Sequence, residues 1–146
     1  ALRQWRDSIE YVMIAGGEPL MQKQHLVVLQ EMENYASNIT LEYSTNLSTL
    51  TCDGVDLVQV WKKFKGLVLK ISIDGDPEIY PYVRKHGQVQ KLLQNILRLQ
   101  REIPEKIVIL SGTLTVSAYN VSRIIECGEF FTKNGLLFHC SQVQQH

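Results

Sequence analysis

The chain has no apolar run approaching the roughly 20 residues of a membrane-spanning helix, and no secretory leader is visible in it. It has no excess of either charge. Fifteen Lys and Arg balance fifteen Asp and Glu, so it lacks the electrostatic footprint of a nucleic-acid or anionic-membrane binder. Cysteine is scarce: Cys52, Cys127 and Cys140 are an odd number at wide spacings, which argues against a disulfide framework and suits a reducing compartment. None of these spacings fits a metal site, and no two of the four histidines stand as ligands on one helical turn. There is no linker, low-complexity stretch or repeat. The expectation is one cytoplasmic domain over residues 1–146, partnered with neither nucleic acid nor membrane.

What is present is ordinary globular composition. The 146 residues are 45% hydrophobic and 21% charged, enough for one core. Three Asn-x-Ser/Thr triplets, at Asn38, Asn46 and Asn120, read as chance matches without a secretory leader. The opening residues, ALRQWRDS, read as the tail of a helix, and VQQH follows a strand-like segment. Such ends are expected of a piece of a longer protein.

Strand-like runs, rich in Val, Ile, Leu and aromatics, fall at 11–15, 39–45, 66–73, 106–116 and 135–143. Several are continuous rather than alternating, which suits a sheet covered by helices. Helical periodicity fills the gaps. Residues 22–37 place Leu26, Leu29, Met32 and Ala36 on one stripe, and residues 55–64 place Val55, Val58 and Trp61 at three-residue steps with Asp53 as a candidate cap. Residues 88–102 group Leu92, Ile96 and Leu99, with Leu93 and Leu97 beside them, and residues 121–133 carry Ile124, Ile125 and Phe131. Alternating strands and helices predict an α/β fold with a parallel sheet of about five strands and right-handed crossovers.

In parallel α/β folds the working face lies at the carboxyl ends of the strands. Gly16, Gly17, Glu18 and Pro19 end the first strand, Ser44-Thr45-Asn46 the second, and Ser72-Ile73-Asp74-Gly75 the third. The fourth carries Ser111, Thr113, Thr115 and Ser117, then Asn120. Glycines admit a ligand close to the backbone. Glu18 can accept from an ammonium group, Ser72 and Asp74 can bond sugar hydroxyls, and Asn46 can donate and accept. Taken singly these features have plainer readings: Gly-Gly and Asp-Gly as turns, Pro19 as a first helical residue, Asn46 as a loop stitch. The three cysteines read as packing residues, His25 and His86 as solvated, His139 as core-facing or satisfied rather than catalytic, and Trp61 and Phe64 as core.

Together, "AGGEPL", "STN" and "SIDG" at three successive strand ends, then "EIYPYVRKHG" and "NI", resemble the radical S-adenosylmethionine superfamily, nearest its SPASM or twitch group. The resemblance runs from about residue 11 to residue 120. It implies a partial (β/α)6 barrel. It also implies that Gly16, Gly17, Glu18 and Pro19 lie at the amino group of S-adenosylmethionine, with Asn46, Ser72 and Asp74 beside its methionyl or ribose part. Arg84 is implied as the partner of its carboxylate. The family's [4Fe–4S] cluster reduces the sulfonium and releases a radical that abstracts hydrogen, often from a peptide or protein.

The chain departs from the family in one large respect. The family's CxxxCxxC loop, upstream of GGEP, is absent, and Cys52, Cys127 and Cys140 all follow GGEP. The expectation is an incomplete barrel whose first strand and cluster loop precede Ala1, covering strands two to six, inactive by itself and carrying neither cofactor. A bare edge on the GGEP strand then predicts self-association. The alternatives are a non-catalytic α/β binding or scaffold domain, and a different barrel binding phosphate at Gly16-Gly17, which Glu18 opposes by charge.

Overall fold

Each strand-like run becomes one strand of a parallel sheet in the computed structural model, which describes residues 8–85 and 87–142, with Gln142 as backbone only. The expected helix tail before Ser8, the VQQH end and His86 lie outside the described residues. The sheet contains β1 (Tyr11–Ile14), β2 (Thr40–Thr45), β5 (Gly66–Ser72), β6 (Ile107–Val116) and β7 (Leu137–Gln142), in that spatial order, and every neighbouring pair is parallel. Helices α1 (Lys23–Met32), α2 (Leu57–Trp61), α3 (Tyr80–Val83), α4 (Val89–Glu102) and α5 (Ile124–Lys133) lie in the connections.

Strand order in space follows strand order in the chain. With right-handed crossovers and no reversal of direction, the connecting helices collect on one face of the sheet. The packing agrees. Leu41 and Tyr43 of β2, Leu67, Leu69 and Ile71 of β5, and Leu110 and Leu114 of β6 share one core with Leu29, Trp61, Leu99 and Phe131 from the helices. The stripes read from the sequence are the buried ones: Leu26, Leu29, Met32 and Ala36, then Leu92, Ile96 and Leu99. Trp61 and Phe64 are core residues as expected. The opposite face is open around Met13, Lys70 and His139.

Several local expectations are corrected. The helix expected over 55–64 is only α2. It is preceded by a hairpin of β3 (Thr51–Cys52) and β4 (Val55–Asp56), whose Asp53-Gly54 turn takes φ of +48° and +79°. Asp53 therefore does not cap α2. Asp56 does, its carboxylate accepting from the Val58 N–H at 3.0 Å. Val55, Leu97 and Ile125 are exposed, not core. His25 is buried rather than solvated, its Nδ1 2.7 Å from the Gln22 carbonyl oxygen. His139 is exposed on the open face rather than core-facing, and Cys140 is exposed while Cys52 and Cys127 are buried.

Among the described residues β1 pairs with β2 alone and turns Tyr11 and Met13 outward, 52% and 61% exposed. A bare strand edge beside apolar side chains is a template for pairing with another chain. Size-exclusion chromatography of the 146-residue chain is expected to show larger species as concentration rises. A single monomeric peak at every concentration would contradict this. No helix among the described residues is long and apolar enough to cross a membrane.

Candidate functional site

The turn after β1 is built by glycines with left-handed backbone, Gly16 at φ +99° and Gly17 at φ +57°. A side chain at Gly16 would meet open space, so conformation rather than crowding calls for glycine there. Glu18 then caps a short 3-10 turn, Pro19–Met21, its Oε1 accepting from the Leu20 N–H at 3.2 Å. Pro19 is buried at the first position of that turn, where no N–H is required.

The Glu18 carboxylate also reaches across to the end of β2. It accepts from the Thr45 hydroxyl and, through Oε2, from the Asn46 N–H at 2.7 Å. Glu18 thus latches the first strand end to the second. Thr45 is buried and accepts in turn from the Leu47 N–H, while Asn46 Oδ1 accepts from the Ser48 N–H, each at 2.9 Å. Asn46 does stitch its own loop.

The end of β5 is organised around Asp74. Its Oδ2 accepts from Arg84 Nε at 2.8 Å and lies 2.7 Å from Arg84 Nη2, while Oδ1 accepts from the Thr115 N–H at 3.1 Å. Asn120, fully buried, donates to the carbonyl oxygens of Asp74 (3.0 Å) and Thr115 (2.9 Å) and accepts from the Ser117 N–H. Its role is to tie β6 to β5, not to open on a mouth. Beyond it, Asp76 is buried. Burial pushes its carboxyl up, but bonds from Arg123 and the Glu78 N–H outweigh this and hold it below the usual carboxylate value.

These strand ends border a cleft of about 320 Å³ lined by Asn46, Ser48, Tyr80, Arg84, Lys85 and Lys91 among others. Three of its side chains are cationic and none is acidic, so it favours an anionic group beside hydroxyl and amide partners. Burial pushes the Tyr80 hydroxyl up from its ordinary value. Gly87 closes the cleft: a Cβ there would come within 2.7 Å of the Tyr80 ring and 2.9 Å of Arg84.

The structure therefore links four of the expected residues into one network. Glu18 holds Asn46, Asp74 holds Arg84, and Asn46 and Arg84 share the cleft. Gly16, Gly17 and Pro19 lie in the turn that delivers Glu18. Ser72 stands apart. By strand alternation it shares the open face with Lys70, in register with Thr113. Sequence reasoning missed Lys85 and Lys91 in the cleft and Tyr11, Glu42 and Lys70 on the open face. Glu42 and Lys70 were visible as lone charges inside apolar strands, but their meeting depends on register.

The described residues do not fit an iron–sulfur cluster. Cys52, Cys127 and Cys140 sit on β3, α5 and β7, burial pushes the thiols of Cys52 and Cys127 up, and no group of three metal-ligating side chains occurs. No family model matches the chain, and no curated protein matches it.

Proposed function

We propose that this chain is the S-adenosylmethionine-binding portion of a radical S-adenosylmethionine enzyme, an incomplete (β/α)6 barrel working in a reducing cytoplasm. The observation that supports it best is that Asn46, held by Glu18, and Arg84, held by Asp74, line one cationic cleft at the carboxyl ends of parallel strands. On this reading Arg84, held by Asp74 through Nε and Nη2, offers its remaining nitrogen to the methionyl carboxylate. The carbonyls of the Gly16-Gly17 turn and the unused acceptor capacity of Glu18 take the α-ammonium group. Asn46 and, behind Arg84, Asp74 stand beside the methionyl or ribose part, whereas Ser72, on the open face, lies outside this cleft. Bound beside a reduced [4Fe–4S] cluster, S-adenosylmethionine supplies hydrogen-abstracting chemistry, here toward a peptide or protein. The cysteines that would hold that cluster are not among these 146 residues.

A second reading, a non-catalytic binding domain of the same architecture, draws on Glu18, both of whose oxygens already accept internal hydrogen bonds. Isothermal titration of the chain with S-adenosylmethionine tests ligand binding. Saturable binding is expected, weakened about tenfold in Arg84→Ala by loss of one charge-assisted hydrogen bond. No saturable heat from the folded wild type would sink the proposal. Anaerobic iron and sulfide reconstitution of the full native gene product separates the two readings. Thiolate-to-iron absorption is expected for the enzyme and absent for the binding domain.

A further inference from the structure

The open face of the sheet carries a second polar constellation, away from the cationic cleft. Glu42 on β2 lies diagonally across from Lys70 on β5, and Lys70 Nζ donates to Glu42 Oε1 at 2.7 Å. The Tyr11 hydroxyl, diagonal to Glu42 from the other side, donates to Oε2. Glu42 is buried, with a side chain 7% exposed, whereas that of Lys70 is 49% exposed. Burial pushes the Glu42 carboxyl up, but the bonds from Lys70 and Tyr11 outweigh it and hold the carboxyl below its usual value. Glu42 is therefore a satisfied anchor, and the ammonium group is what the anchor presents.

Lys70 uses one of its three N–H bonds among the described residues. Two rows of the sheet continue from it. Lys70 is in register with Ser111 and then Leu137, and Thr113 with His139 in the next row. Lys70, Ser111, Thr113, Leu137 and His139 line a cleft of about 370 Å³. The Ser111 hydroxyl makes only a long 3.4 Å bond to the Leu69 carbonyl oxygen, and neither Thr113 nor His139 has a side-chain partner among the described residues. Every polar group lining the cleft can donate, and among the described residues the carboxylate beside it, Glu42, is already bonded through both oxygens.

From this arrangement we infer that the cleft beside Lys70 binds the carboxylate group of an organic ligand, whose apolar stem lies along Leu137. Charge selects the class. Glu42 offsets Lys70, no arginine lines the cleft, and strand backbone already engaged in the sheet offers no nest of free N–H groups. A singly charged carboxylate matches that field better than a phosphate dianion. The site is independent of the S-adenosylmethionine reading. Ser72 lies in register with Thr113, so the ligand would sit about 5 Å, one strand spacing, from the Ser72 position.

The experiment is a 1H–15N NMR titration of the 146-residue chain with pentanoate, a singly charged carboxylate with an apolar stem, with inorganic phosphate at matched ionic strength as comparison and no S-adenosylmethionine present. Pentanoate is expected to shift the amides of Lys70, Thr113 and His139 saturably, in roughly the millimolar range of a partly exposed ion pair. Lys70→Met should weaken binding about tenfold, through loss of the charge-assisted bond. Because that variant leaves Glu42 without its cation, Thr113→Val serves as a second, fold-preserving test and should weaken binding several-fold. Non-saturating or scattered shifts, phosphate binding as tightly as pentanoate, or unchanged affinity in the Thr113→Val variant would each overturn the site. Failure here leaves S-adenosylmethionine binding untouched, and failure of that binding leaves this site standing.

Discussion

Gly112→Val is expected to destabilise the protein by about 3 kcal/mol or more, a large part of the roughly 5–15 kcal/mol that holds a domain of ordinary size together. Gly112 lies on β6 beneath α5, and a Cβ built there would fall 2.5 to 3.0 Å from three atoms of the Phe131 ring. Phe131 cannot easily retreat. It is fully buried, with the rings of Phe130 and Phe138 at 6.0 and 5.4 Å. Valine adds two methyl groups beyond that first colliding carbon. Urea unfolding followed by circular dichroism should show Gly112→Ala between wild type and Gly112→Val. Phe131→Leu in the valine background should recover part of the loss, because the two residues share one space. A wild-type midpoint for Gly112→Val would mean that α5 is not held against β6 as described.

Glu18→Ala is expected to cost about 2–4 kcal/mol and to abolish S-adenosylmethionine binding. The substitution strips the acceptor from the buried Thr45 hydroxyl, the Asn46 N–H and the Leu20 N–H at once. Donors left without a partner forfeit about 1–3 kcal/mol each when buried and less where water can reach them. Glu18→Gln retains one acceptor oxygen but turns an amide N–H₂ toward groups that themselves donate, so an intermediate loss is expected. Stability and ligand affinity are measured side by side. A stability loss with intact affinity would make Glu18 a structural latch only, and the proposed role at the α-ammonium group would fall.

The α/β class and the parallel sheet were legible because β5 and β6 carry long, largely apolar stretches, as strands beneath helices do. The stripe of α4 was legible because Leu92, Ile96 and Leu99 repeat at the helical period. The hairpin of β3 and β4 was not, since two-residue strands have no period to detect, and Asp53-Gly54 was read as a cap region instead of a turn. The site divided in the same way. Gly16 to Glu18 and Asn46 could be placed at strand ends from local chemistry alone. That Asp74 would hold Arg84, and that Glu42 would meet Lys70, required tertiary geometry that no single stretch contains. His25 was misjudged because a histidine on a helix looks the same whether the stripe beside it is wide or narrow. Here the helix buries His25 as well as Leu26.

The spatial order of the strands also sets a hierarchy of opening. Local unfolding proceeds from the periphery, where few neighbours must be released, toward elements bonded on both sides. Asp74 hangs from β5, the middle strand of five, and Asn46 from β2, which is paired on both edges, whereas Gly16 and Gly17 hang from the outer strand β1. The glycine turn is therefore the part of the network that opens at least free-energy cost. The Glu18 contacts to Thr45 and Asn46 are what fasten it to the slower interior. Among the described residues, breathing of that outer strand gives these contacts a fast side and a slow side.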